Sequence, residues 1–257
     1  MKKRTLYLTT LTIITVVCAI IGVLVHVVFP AGNWALRLID EDADFSQMKG
    51  ATTYEELDAF HNINLDLRVS DVSILYGDTY GIKYSSKEER WIPTYKIEND
   101  TLYVKQNVKK ASLDAVKCNC KIQIILPKDT TLSTIQGTLN VGDFTTDRVN
   151  ASSVDFDLNT GDITLSDASY ENITLQTDVG DIDLDNVSFL TANVNSSVGD
   201  IDVDSSKSLK DYAMDLSCDI GEVDVNDNDH GRNYQANEGN NKKLTASAST
   251  GDVDVEY

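Results

Sequence analysis

The chain has 257 residues, and its 22 Lys and Arg against 41 Asp and Glu give a formal net charge of -19. Nucleic-acid backbones are held by basic stripes, so this balance excludes nucleic-acid partners. A hydrophobic content of 41% still supports a buried core and rules out a disordered acidic tail.

The charge is uneven along the chain. Residues 1–128 carry 16 basic and 15 acidic side chains, whereas residues 129–257 carry 6 and 26, so the excess acid is C-terminal.

Residues 1–5 read as a cytoplasmic tail containing Lys2, Lys3 and Arg4. Leu6 to Phe29 is free of charged residues and long enough to cross a hydrocarbon layer of about 30 Å as a helix. The basic flank predicts an inside N-terminus and an outside C-terminal domain, a single-pass cell-membrane protein with an extracellular ectodomain. A cleaved signal peptide fits less well, because the apolar run exceeds a typical signal core and ends without a small-x-small tripeptide. Residues 30–59 then read as a juxtamembrane stalk, followed by the ectodomain at 60–257.

Within the ectodomain, residues 60–128 combine a first repeat with covering hairpins. Ile63, Leu65, Leu67 and Val69, then Val72 and Ile74, alternate around Ser70-Asp71. Tyr80, Ile82 and Tyr84 predict a strand, Tyr95 to Gln106 a strand pair turning at Glu98-Asn99-Asp100, and Lys121 to Leu126 a further strand.

Residues 129–257 are dominated by one spacing. Gly142-Asp143, Gly161-Asp162, Gly180-Asp181 and Gly199-Asp200 recur every 19 residues, followed by Gly221-Glu222 after 22 and Gly251-Asp252 after 30. Counted from each Gly, position +2 reads Phe144, Ile163, Ile182, Ile201, Val223 and Val253, and position +4 is equally apolar apart from Thr146. Before the Gly, positions -7, -5, -3 and -1 alternate as an inward face. Period two means strand, and a fixed short repeat means a solenoid whose like residues stack at about 4.8 Å per rung. The expected fold is therefore all-β: a parallel β-solenoid of 19-residue rungs with an N-terminal hairpin cap, preceded by one transmembrane helix. The change of parity requires a bend at the Gly-Asp step. The Asn-rich stretch Asn226 to Lys243 reads as a mobile loop, and Gly251 to Tyr257 as a strand finishing the last rung, with its edge either shielded by that stretch or open to strand addition.

The Gly-Asp-Ile/Val-x-Leu/Val elements from 142 to 255, with the strands at 65–75 and 122–127 and the turn pair at 95–106, resemble the bacterial DUF4097 group, described as proposed adhesins with a β-strand repeat. That resemblance implies a right-handed parallel β-solenoid on a bacterial envelope, often tethered by one N-terminal span. It supplies no catalytic or binding residues.

The acidic columns at +1 and +3 are the candidate site. Asp162, Asp181 and Asp200 in one column and Asp183 and Asp202 in the next form an oxygen-rich ladder that could hold Ca²⁺. The same ladder can act as a solvated face that keeps the β surface soluble. Cys118, Cys120 and Cys218 make an odd outside count, against a disulfide framework, and Cys218 occupies an inward position. His26, His61 and His230 are scattered, and no catalytic motif is present. The expected function is a non-enzymatic binding, structural or envelope-stress module with no cofactor, anchored in the membrane and facing a protein or a cell-envelope polymer. The alternative is a Ca²⁺-binding or carbohydrate-processing ectodomain.

Overall fold

Segments that alternate apolar and polar residues with period two become strands with one buried face. The computed structural model describes residues 51–87, 89–107 and 120–257. The expected tail, the span at 6–29, most of the stalk and Cys118 lie outside these residues. Among the described residues no helix is long and apolar enough to cross a membrane.

The first seven strands are β1 (Ala51–Glu56), β2 (Asn62–Val69), β3 (Asp71–Gly77), β4 (Gly81–Ser86), β5 (Thr94–Glu98), β6 (Thr101–Lys105) and β7 (Lys121–Pro127). Four regular rungs follow: β8 (Leu132–Val141) with β9 (Phe144–Asp147), β10 (Ala151–Thr160) with β11 (Ile163–Ser166), β12 (Tyr170–Val179) with β13 (Ile182–Val187), and β14 (Thr191–Ser196) with β15 (Ile201–Ser205). The remainder is β16 (Ala213–Ile220), β17 (Val223–Val225), β18 (Asn233–Ala236), β19 (Lys243–Thr250) and β20 (Val253–Glu256).

These strands form two sheets of ten, one containing every strand that follows a Gly-Asp step and the other every strand that precedes it. Within the rungs all pairing is parallel, with Ile163, Ile182 and Ile201 directly over one another and a register shift at the end of β13, between Leu184 and Val187. Between the sheets runs one continuous core. Phe144, Ile163, Ile182, Ile201, Val223 and Val253 are all fully buried, as are Val149 and Val187 at the far corner. Phe156 stacks on Phe144 with ring centroids 4.0 Å apart. Gly137 interrupts its apolar column because a Cβ there would lie 2.7 Å from the Leu65 Cβ and 3.0 Å from the Phe156 ring.

Ser70-Asp71 does replace Gly-Asp in an early rung: β2 pairs with β8, and β3 with β9, in the register of the later repeats. The hairpin β5–β6 turns at Asn99 and Asp100, both at positive φ. Beyond hairpin cover, β6 and β7 stack parallel on β2 and β3 as a further rung. Its interior includes Gln106, whose amide oxygen accepts from the Arg68 and Val69 N–H groups and whose amide nitrogen donates to the Val69 and Trp91 carbonyls.

Four expectations are corrected. Residues 51–56, assigned to the stalk, form β1, which pairs antiparallel with β4. Position -1 is not a uniformly inward column: Val141 and Val179 are half-buried, but Thr160 and Thr250 are exposed, Val198 is 36% and Ile220 52% exposed, because the chain is already turning into the Gly corner. The 226–243 stretch is not a plain loop, since it contains β18, paired antiparallel with β16. Most consequentially, the rungs are not stacked in chain order. The rung of β19 and β20 is threaded between β14–β15 and β16–β17, so the last strand is interior and the outermost rung is 213–225. The 22-residue spacing gives the chain three extra residues to climb past one rung position, and the 30-residue spacing brings it back. The exposed edge is therefore that of β17, and there the 226–243 stretch does the shielding: Val223 and Val225 donate to the Gly231 and Asn228 carbonyls.

The corner glycines have φ between +124° and +146°, a region L side chains rarely adopt. They also stack: a Cβ on Gly180 would lie 1.9 Å from the carbonyl oxygen of Gly161. Gly180→Ala thus combines backbone strain with a collision against backbone, and should lower stability by about 3 kcal/mol or more in urea unfolding. A change under about 1 kcal/mol would show that the corner is plastic.

Candidate functional site

At each corner the backbone turns away from both sheets, and the N–H of the residue after Gly needs a partner that the strand ladder does not provide. The acid of the neighbouring rung supplies it. Asp143 Oδ1 accepts from Asp162 N at 2.9 Å, Asp162 from Asp181 at 2.9 Å, and Asp181 from Asp200 at 2.8 Å. The column then follows the threaded order: Asp200 accepts from Asp252 at 2.8 Å and Asp252 from Glu222 at 2.9 Å. Glu222, where the column departs from Asp, lies in the outermost rung and has no further rung to serve. The adjoining glycine carbonyls receive hydroxyl donors from the inward -3 column, Thr177 to Gly161 and Ser196 to Gly180. This accounts for the polar members of that column.

The five residues read as a cation ladder separate accordingly. Asp162, Asp181 and Asp200 belong to the amide-capping column, whereas Asp183 and Asp202 stand in the +3 column, directly opposed in register with Asp254 and Asp224. Among the described residues no group of three or more His, Cys, Asp or Glu has the geometry to hold a metal ion.

The +3 column caps no rung amide. Burial raises Asp183 to about 6, with the neighbouring Asp202 and Asp181 charges adding to it, and burial followed by the Asp202 and Asp224 charges takes Asp254 to about 6. Asp202 is raised by burial and the Asp200 charge, offset by hydrogen bonding with Asp254 and Asp183. A third outward column, Asp185, Asp204 and Glu256, flanks it and was not singled out from the sequence, although its period-two spacing from the Gly was visible. A groove of about 550 Å³ runs over these last rungs, lined by Asp202, Asp204, Asp224, Asp227, Asp254 and Glu256 among others.

At the opposite end of the capping column lies a buried acid that no sequence pattern marks. Asp143 is only 7% exposed; burial, with the Asp71 charge adding, raises it to about 7. Asp71 is likewise raised by burial, opposed by the Lys121 charge and by a hydrogen bond from the Asp143 backbone. Lys121 reaches this place because β7 lies beside β3, with Lys121 opposite Asp71.

These features define a class: a parallel two-sheet solenoid whose corners are held by an aspartate–amide column and whose later rungs present a carboxylate face. The chain belongs to the Toastrack DUF4097 family, whose model matches residues 60–257. Among solved structures it is similar to a proposed cell adhesion protein of Clostridium sporogenes (14% identity, 81% of this chain and 99% of that one, TM-score 0.48) and to a proposed adhesin of Bacteroides fragilis (15%, 81% and 97%, TM-score 0.48). A proposed lipid-binding protein of Parabacteroides distasonis matches at 9% identity, 81% and 95% coverage and a TM-score of 0.29. All three scores fall below 0.5, and it is the family model that places the chain. No curated protein matches it.

Carboxyls raised above their ordinary 3.8 hold protons in the folded state that the unfolded chain has already released. Their contribution to stability is complete below about pH 4 and is lost as pH rises through 6 to 7. The melting temperature should therefore be higher at pH 5 than at pH 8; an equal or lower value at pH 5 contradicts the assignment. Lys121→Ala removes the charge that opposes repulsion between Asp71 and Asp143. Its cost should be about 1–2 kcal/mol at pH 8 and markedly smaller at pH 5, measured by denaturant unfolding at both values. An equal cost at both would mean that Lys121 acts only through packing.

Proposed function

We propose that this protein is a membrane-anchored, non-enzymatic binding and structural module of the bacterial cell surface, with the carboxylate face of β13, β15, β20 and β17 as its contact surface. The observation that carries this reading is the division of labour among the acids. The +1 column holds the corners together, but Asp183, Asp202 and Asp254 hold no rung amide and are kept with their carboxyls raised, a standing cost to the fold. Acids that cost the fold stability and cap no corner are the ones available to a partner.

A stack of carboxylates at strand spacing complements a partner bearing cationic groups, either a protein or an envelope polymer, and steers it by long-range attraction. The apolar stretch at 6–29 with its basic flank supports anchorage with the ectodomain outside. Family membership supports the surface setting.

Proximity labelling from a labelling enzyme fused after Tyr257, on intact cells, tests both halves. Wild type should mark extracellular neighbours, and D204N/D254N/E256Q should lose a defined subset of them while remaining at the surface in equal amount. Marking of cytoplasmic proteins contradicts the topology. An unchanged set with the variant contradicts the assigned face.

A further inference from the structure

The threaded rung is bound as a guest between two hosts. β19 pairs with β14 on one side and with β16 on the other, and β20 pairs likewise with β15 and β17. Leu244, Ala246, Ala248, Val253 and Val255 fill the same columns as their neighbours above and below. The corner bonds are equally modular: Gly199 N donates to the Thr250 carbonyl, Gly251 N to the Ile220 carbonyl, and Asp252 both donates to Asp200 and accepts from Glu222.

None of these bonds depends on which chain supplies residues 243–257. What keeps the guest with its own hosts is the connection after β18. Residues 237–242 cross from the outer side of β16 back to its inner side, holding to the 210–212 turn through Asn237 to the Lys210 and Tyr212 carbonyls and Asn240 to the Asp211 carbonyl. The crossing is exposed and contains Asn237 and Gly239 at positive φ, with open space around Gly239.

We infer that the slot between β14–β15 and β16–β17 is an interaction site for a second copy of this chain, which enters by exchanging residues 243–257. Every pairing of the guest rung is preserved in the exchanged pair, and only the path of 237–242 changes, the condition under which swapping costs little. The tether favours self-insertion by an effective concentration on the order of millimolar. Exchange therefore appears when chains refold together at high concentration, or when the crossing is too short to return. Deleting 238–241 leaves Ala236 and Lys243 three Cα steps apart, a fully extended reach of about 10–11 Å, against a separation of two strand spacings, roughly 10 Å, so no slack remains for rounding the 210–212 turn.

Ser217 and Ser247 are register partners on β16 and β19, both outward and half-buried. Full-length S217C and full-length S247C, unfolded together, refolded at high concentration and oxidised, should give a mixed covalent dimer several-fold above either variant refolded alone. The double variant S217C/S247C, which crosslinks within one chain when dilute, sets the reference yield. Removing 238–241 from both single variants should raise the mixed dimer further. If the co-refolded variants give no mixed dimer above the single-variant background, the inference is overturned. A mixed dimer whose yield ignores concentration and the deletion also overturns it, since this points to contact outside the slot.

Discussion

The hydrogen bond from the backbone N–H after each corner glycine to the aspartate of the neighbouring rung is the constraint on which the rest depends. A parallel solenoid has its strands bonded rung to rung, yet every corner breaks the ladder and leaves an amide pointing along the stack. Placing a short acid at that position in each rung supplies the acceptor at a fixed distance, 2.8 to 2.9 Å along the column from Asp143 to Glu222. A charge-assisted bond of this kind contributes about 1–3 kcal/mol, toward the lower end where the carboxylate meets water. The arrangement also demands glycine, because the rungs approach so closely that a Cβ would enter the neighbouring carbonyl. Glycine and aspartate thus recur together for one reason, the geometry of stacked corners.

The same column sets the electrostatics. Aspartates at rung spacing repel, and only bonding to amides and exposure to water make the column tolerable. Where exposure is least, at Asp143 beside the half-buried Asp71, a lysine from β7 is brought alongside. In the later rungs the +3 and +5 acids add charge with no amide to hold, which separates the structural acids from those available to a partner. The acidic half of the chain therefore contains two populations with different work, though composition counts them alike.

Much of the fold was legible because a solenoid writes its contacts into its period. The columns at -7, -5, -3, +2 and +4, the disguised copy at Ser70-Asp71 and the inward place of Cys218 follow directly from which side chains must be covered by the next rung. The stacking order was not legible for the same reason: rungs that are alike can be permuted without disturbing any column, so Leu244 and Met214 are equally good neighbours for Ala192. The signal was in the spacing, 22 then 30 residues, and its meaning depends on where chain length is spent. Period two likewise predicted an inward -1 position, but Val198 and Ile220 are exposed because a corner ends the alternation sooner than a straight strand would. As for the candidate site, the acidic columns were visible, while their division into amide-capping and unengaged members needed the corner geometry. The burial of Asp143 needed the position of β7, which belongs to a rung out of chain order.

The most direct test of the corner bond is amide hydrogen exchange at Asp200 in wild type and Asp181→Ala. Loss of the acceptor should speed exchange at the Asp200 amide by about an order of magnitude or more, as expected for a bond worth upward of about 1.4 kcal/mol. The amide of Ile201, bonded to the Asp252 carbonyl, should stay slow. Unchanged protection at Asp200 in the variant would mean that the carboxylate does not hold the rung above it, and the account of the fold would fail.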